Sequence, residues 1–157
     1  MDNLARSSDQ AVLTISRVFS APVARVFEAW TKAEVLANWF GPAGFVVTTA
    51  KIDLRVGGKY LLVLQPPDGE SIKHFGEYLE ITPPQKLVFT WVLEHQACGG
   101  SKNQCAETLV SIDFKQLNQS TKIRLTHERL PNKEAYQGHE FGWNSTFDSL
   151  SEYILKA

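Results

Sequence analysis

Residues 76–91, GEYLEITPPQKLVFTW, constrain the fold of this chain more than any other stretch. Two runs rich in β-branched and aromatic residues, which are typical of strands, flank the Pro83-Pro84 pair. Proline has no backbone N–H to donate and fixes φ, so the first strand must end at this pair and the second begins at Lys86. The segment therefore predicts two long antiparallel strands joined by a rigid turn.

The same alternation of residue types predicts strands over most of the chain. Val12 to Phe19 is one, and from Phe45 onward each segment between turn residues reads as another: residues 45–54, 58–64, 72–81, 86–94, 107–115 and 121–127. Glycine and proline pairs separate them, as in hairpins. We therefore expect a meander in which the order of strands in the sheet follows the order in the chain.

Helical spacing appears in three places. Pro22 opens a short amphipathic pattern that ends at Trp30, and Thr31 with Glu34 forms a capping box for a second helix that Gly41-Pro42 ends. After Pro131, Asn132 is the expected N-cap of a long final helix. Its apolar stripe consists of Tyr136, His139, Trp143, Phe147, Leu150 and Ile154.

These elements predict an α+β fold: a curved antiparallel sheet of about seven strands wrapped around a long C-terminal helix, with two short helices after the first strand. The chain of 157 residues is the size of one domain, which we assign to residues 11–157, and the polar residues 1–10 are expected to be a flexible N-terminal tail.

The net charge of −1 gives no reason to expect a nucleic-acid partner. We find no membrane span and no secretory signal, so we expect a cytoplasmic protein.

Several motifs resemble one known family. They are APVARVFEAWT, WFGP, LRVGGKY, GEYLEITPP with KLVFTW, LTHERLP, and the H-x-x-GW that precedes FDSL. Together they resemble the activator of heat-shock-protein ATPase homologue-like family, from residue 12 to residue 154. That family belongs to the START/polyketide cyclase/birch-pollen-allergen-like (SRPBCC) superfamily, so the resemblance implies a helix-grip fold closed around a hydrophobic cavity. The chain departs from the family pattern at residues 95–104, which are longer and more polar.

The implied cavity should be lined from the inward faces of the strands and of the final helix. Alternation places Leu87 beside Phe89 and Trp91 on one face of their strand, and Ile123, Leu125 and His127 on one face of theirs. The candidate ligand-binding residues are Trp39, Phe45, Tyr60, Leu62, Phe75, Phe89, Trp91, Leu125, His127, His139, Trp143 and Phe147. The alternative is that these side chains fill a solid core.

Catalytic chemistry finds little support in the sequence. His127, His139 and Glu77 are the titratable residues that could face a cavity. No serine or cysteine lies in a sequence motif that is typical of a catalytic nucleophile. His95, Cys98 and Cys105 lack the paired-cysteine spacing of a zinc site. We therefore assign no catalytic residue, no metal ligand and no cofactor.

The leading hypothesis is non-enzymatic binding of a small hydrophobic ligand, such as a lipid, a polyketide or an aromatic metabolite. A co-chaperone-like protein-interaction module is one alternative, and a protein partner or a homodimer stays open. A cyclase or hydrolase that acts by general acid-base catalysis on a pocket-bound substrate is another.

Overall fold

The computed structural model describes residues 11–94 and 107–156. The tail assigned to residues 1–10, and His95, Cys98 and Cys105, lie outside the described residues. The elements in chain order are β1 (Ala11–Phe19), α1 (Val23–Thr31), α2 (Ala33–Leu36), β2 (Val46–Ile52), β3 (Lys59–Gln65), β4 (Ile72–Thr82), β5 (Lys86–Glu94), β6 (Thr108–Leu117), β7 (Ser120–Leu130) and α3 (Lys133–Lys156).

The strands form one seven-stranded sheet in the order β1-β7-β6-β5-β4-β3-β2, and every neighbouring pair is antiparallel. The predicted α+β fold class is confirmed. The expected strand order holds from β2 to β7 but is wrong for β1, which pairs with β7. The two short helices follow β1 and carry the chain to the far edge of the sheet, so the first strand is free to pair with the last.

The helix ends show one correct and one wrong prediction. Asn132 caps α3 as expected, because its Oδ1 accepts the N–H of Ala135 at 2.8 Å. Thr31, by contrast, is the last residue of α1 and donates its hydroxyl to the Phe27 carbonyl at 3.0 Å. It therefore cannot cap α2, which follows Lys32 and has no side-chain cap.

The core lies between the concave face of the sheet and α3. Leu87, Phe89 and Trp91 on β5 are buried there, as are Ile123 and Leu125 on β7. From the other side, α3 contributes Trp143, Thr146, Phe147, Leu150 and Ile154. None of the helices in residues 11–94 and 107–156 combines the length and apolar character that crossing a membrane requires.

The register between β3 and β4 decides which residues of β4 face inward. Tyr60 pairs with Gly76 and Leu62 pairs with His74. Because directly paired residues point to the same face, the buried Tyr60 and Leu62 place His74 inward. Phe75 is therefore on the convex face, opposite to the one we expected, and its apolar character alone misled the assignment.

Gly76 allows β4 to lie close to β5. A Cβ at this position would lie 1.9 Å from the Thr90 carbonyl oxygen. Two hydrogen bonds hold Thr90 in place, since Tyr60 donates its hydroxyl to this carbonyl and Thr90 Oγ1 accepts the N–H of Glu77. The close approach is therefore a fixed feature of the sheet.

We predict that Gly76→Ala lowers the free energy of unfolding by at least about 2 kcal/mol, at the upper end of the range for overpacking, because the added methyl group must force the two strands apart. Urea denaturation measures the change. Gly138→Ala is the matched control, since a Cβ there meets nothing within 4 Å. Equal stability of the two variants would contradict the described register.

Candidate functional site

A cavity of about 470 Å³ lies between the sheet and the N-terminal half of α3. The sheet contributes side chains from β3 to β6, and the segment between α2 and β2 closes one side. The lining residues are Phe40, Gly41, Pro42, Phe45, Leu64, Ile72, His74, Trp91, Leu93, Thr108, Pro131, Glu134, Ala135, Gly138, His139, Phe141, Gly142, Trp143 and Thr146. Phe141 is 73% exposed, so it marks the mouth of the cavity.

Two glycines in the middle of α3 face this cavity. Gly138 and Gly142 lie one helical turn apart, and a Cβ at either position would meet nothing within 4 Å. Glycine inside a helix costs about 1 kcal/mol relative to alanine, and close packing does not require it here. The effect of the two glycines is to leave space between the helix backbone and the sheet.

The inner wall of the cavity is aromatic. The rings of Trp91 and Trp143 lie 5.0 Å apart, and His74 meets Trp91 edge to face at 5.0 Å. Phe40 lies 6.2 Å from His74 and 6.2 Å from Trp143. These distances are typical of favourable ring contacts. The wall is therefore a rigid cluster that a flat apolar molecule could pack against.

Behind this wall, His127 accepts one hydrogen bond and donates another. The Trp143 indole N–H donates to His127 Nδ1 at 3.0 Å, so that nitrogen carries no proton. Thr108 donates its single hydroxyl proton to the Trp91 carbonyl at 3.0 Å. The 2.7 Å contact between Thr108 Oγ1 and His127 Nε2 must therefore be a bond that His127 donates. His127 is neutral, with its proton on Nε2.

His139 is neutral in the opposite tautomer. The Trp91 indole N–H donates to His139 Nε2 at 3.2 Å, and His139 Nδ1 donates to the Ala135 carbonyl at 2.8 Å. The two imidazole rings lie 4.6 Å apart and meet edge to face. In each histidine, the unprotonated ring nitrogen thus accepts a hydrogen bond from a tryptophan indole.

Burial reinforces this neutral state. Burial, and to a lesser extent electrostatic repulsion from the neighbouring His139, lowers the pKa of His127 to about 3. Burial also lowers the pKa of His139, although the bond to the Ala135 carbonyl opposes the shift. Neither histidine therefore offers a free basic nitrogen for proton transfer. Glu77, the third titratable candidate, lies on the convex face, because its register partner on β3 is the exposed Lys59.

The structure separates the predicted site residues into three groups. Phe45, Trp91, His139 and Trp143 line the large cavity. Tyr60, Leu62 and Phe89 line a second cavity of about 20 Å³, which also touches Trp91 and Trp143. Trp39, Phe75, Leu125, His127 and Phe147 line neither of these two cavities. Of these five, all but Phe75 are buried core residues.

Sequence reasoning missed several lining residues. Phe40 and Leu64 are buried at the cavity, and His74 lies beside them. The inward position of His74 follows from its pairing with Leu62, a register that only the structure shows. The two helical glycines were the available sequence signal for a cavity, because glycine is unfavourable at both positions without a reason in the structure.

No group of three or more His, Cys, Asp or Glu side chains in residues 11–94 and 107–156 is placed to hold a metal ion. The polar groups that line the large cavity are few: two imidazoles, two threonine hydroxyls and the Glu134 carboxylate. This arrangement suits the enclosure of an apolar molecule.

Comparison with known proteins identifies relatives of the same fold. The family model described as activator of Hsp90 ATPase homolog 1-like protein matches residues 20–154. A crystal structure from Chromobacterium violaceum is 25% identical, with a TM-score of 0.79 over 91% of this chain and 96% of that one. An AHSA1 protein from Silicibacter pomeroyi is 25% identical, with a TM-score of 0.78 over 94% of this chain and 100% of that one. No curated protein matches the chain.

We predict that the free energy of unfolding falls as the pH is lowered from 6.5 toward 4. The unfolded chain binds a proton at His127 near the ordinary pKa of about 6.5, whereas the folded chain does so only near 3. This stabilisation is therefore fully present above pH 6.5. Below that pH it is lost at a rate that approaches about 1.4 kcal/mol per unit.

His127→Gln is the matched variant, because an amide can accept from Trp143 and donate to Thr108 without titrating. Urea denaturation of both proteins at several pH values separates the contribution of His127 to the pH dependence of stability from that of the carboxylates. The stability of the wild type should fall more steeply than that of His127→Gln as the pH is lowered below 6.5. Parallel curves would show that His127 is not buried as a neutral ring.

Proposed function

Because the chain belongs to the activator of Hsp90 ATPase homolog 1-like protein family, we propose that it binds a small hydrophobic molecule, without turnover, in the cavity beside α3. The fold supports a ligand-binding or co-chaperone-like domain. The choice of ligand binding is our inference from the cavity.

The cavity is the observation that carries this proposal. Its volume of about 470 Å³ falls within the range of roughly 300–1,000 Å³ that is usual for small-molecule sites. A core residue in this position would have filled the space, yet Gly138 and Gly142 leave it open. The aromatic wall of Phe40, Trp91 and Trp143 offers an apolar surface that water solvates poorly. A bound apolar molecule would bury that surface, and few polar groups of the protein would lose contact with water.

The hydrogen bonds of His127 and His139 argue against catalysis by these two residues. General base catalysis requires a nitrogen that is free to take a proton from the substrate. His127 accepts from Trp143, and His139 accepts from Trp91. A substrate proton would have to displace an indole N–H first. A cyclase or hydrolase that uses these histidines is therefore disfavoured, and its residues would have to come from elsewhere in the chain.

A co-chaperone-like interaction is the second candidate. Phe141 is 73% exposed on α3 at the mouth of the cavity, where a protein partner could cover it. The family description also favours this class.

The location in the cytoplasm stays a prediction from the sequence.

We predict that Gly142→Leu abolishes binding of the neutral fluorescent probe N-phenyl-1-naphthylamine while the fold survives. The leucine side chain starts in open space and extends into the cavity, and leucine is also the better helix former. Fluorescence titration of the wild type should give one site per chain with micromolar or tighter affinity.

Glu140→Leu is the matched control, because Glu140 is exposed on the same helix and does not line the cavity. It should bind the probe as the wild type does. Thermal unfolding should show that Gly142→Leu is at least as stable as the wild type. A wild type that binds no probe, or a Gly142→Leu variant that binds it unchanged, would refute the proposal.

A further inference from the structure

The charge around the cavity is one-sided. Glu134 is the formally charged side chain among its described lining residues, and neither lysine nor arginine is among them. Glu134 lies in the first turn of α3, is exposed, and forms no salt bridge within the described part of the chain. Gly138 and Phe141 follow it at positions i+4 and i+7, so all three lie on the cavity face of the helix.

The two histidines that accept hydrogen bonds from tryptophans add no positive charge to the interior. His127 and His139 each hold one proton, which is donated to Thr108 Oγ1 and to the Ala135 carbonyl respectively. A second proton on either ring would require the loss of a bond from a tryptophan. An anionic headgroup would therefore meet a carboxylate at the mouth and the neutral ring of His139 inside, with no lysine or arginine among the described lining residues to offset it.

The aromatic wall is suited to the opposite charge. The faces of indole rings attract cations, and tryptophan does so more strongly than phenylalanine or tyrosine. Trp91 and Trp143 both line the cavity, with Phe40 and Phe45 nearby. An alkylammonium group near these rings would replace part of its hydration by the ring faces and would keep the rest at the open mouth.

We propose that the ligand of this cavity is a hydrophobic cation, that is, an amine or quaternary ammonium compound with an apolar body. This inference rests on the proposed function, since it specifies the ligand of the same site. The apolar body lies against the wall formed by Trp91 and Trp143 and passes over Gly138 and Gly142. The positive group lies on the mouth side of these rings, where it faces both the aromatic wall and the Glu134 carboxylate.

Three probes of similar size test the proposal: the trimethyl(2-naphthylmethyl)ammonium cation, neutral 2-naphthylmethanol and anionic 2-naphthylacetate. Each displaces N-phenyl-1-naphthylamine from the whole protein in low salt at pH 8, where a histidine of ordinary pKa is neutral. The cation should bind about tenfold more tightly than the anion, with the neutral probe between them, because one exposed carboxylate attracts the first and repels the second by similar amounts.

Glu134→Gln should weaken binding of the cation about threefold, strengthen that of the anion, and leave the neutral probe unchanged. Glu140→Gln, on the same helix but outside the cavity lining, is the control and should change none of the three. If the neutral probe binds but the cation and the anion bind equally, the charge preference is refuted and the proposed function survives. If neither N-phenyl-1-naphthylamine nor any of the three binds, both are refuted.

Discussion

Two indole N–H groups that donate to two buried imidazoles tie the helix to the sheet in this protein. Trp143 on α3 donates to His127 on β7, and Trp91 on β5 donates to His139 on α3. The bonds cross between helix and sheet in both directions, and Thr108 extends the network to β6. Buried polar groups are costly when unpaired, so a shift of the helix would break several bonds together. The network therefore fixes the position of α3 above the strands.

This anchor divides α3 into two functional halves. Beyond Trp143, the residues Phe147, Leu150 and Ile154 are buried against the sheet and form the solid part of the core. Before it, a Cβ at Gly138 would meet open space, and Phe40 and Trp91 line the cavity beside the helix. A helix held only by apolar packing would gain by collapsing onto the cavity, since burial of apolar surface is non-directional. Directional bonds from the tryptophans oppose that collapse and keep a cavity beside a dense core.

The sequence predicted the fold well because strand alternation and helical spacing are local properties of the chain. It placed Trp91, His139 and Trp143 correctly inside, but it could not separate cavity from core, since an inward aromatic ring looks the same in either setting. Phe75 was misassigned because the face of β4 is set by its register with β3. The hydrogen bonds between tryptophan and histidine join residues 16 and 48 positions apart, which no local pattern reveals.

The tautomers of the two histidines test this account most directly. Nitrogen-15 NMR of the imidazole rings distinguishes the neutral Nδ1–H and Nε2–H forms from the imidazolium ion. We expect the ring of His127 to stay neutral from pH 8 to pH 5 with its proton on Nε2, and the ring of His139 to be neutral at pH 8 with its proton on Nδ1. Imidazolium signals for both rings near pH 6, or rapid averaging between tautomers, would show that the tryptophans do not hold them and would contradict the account.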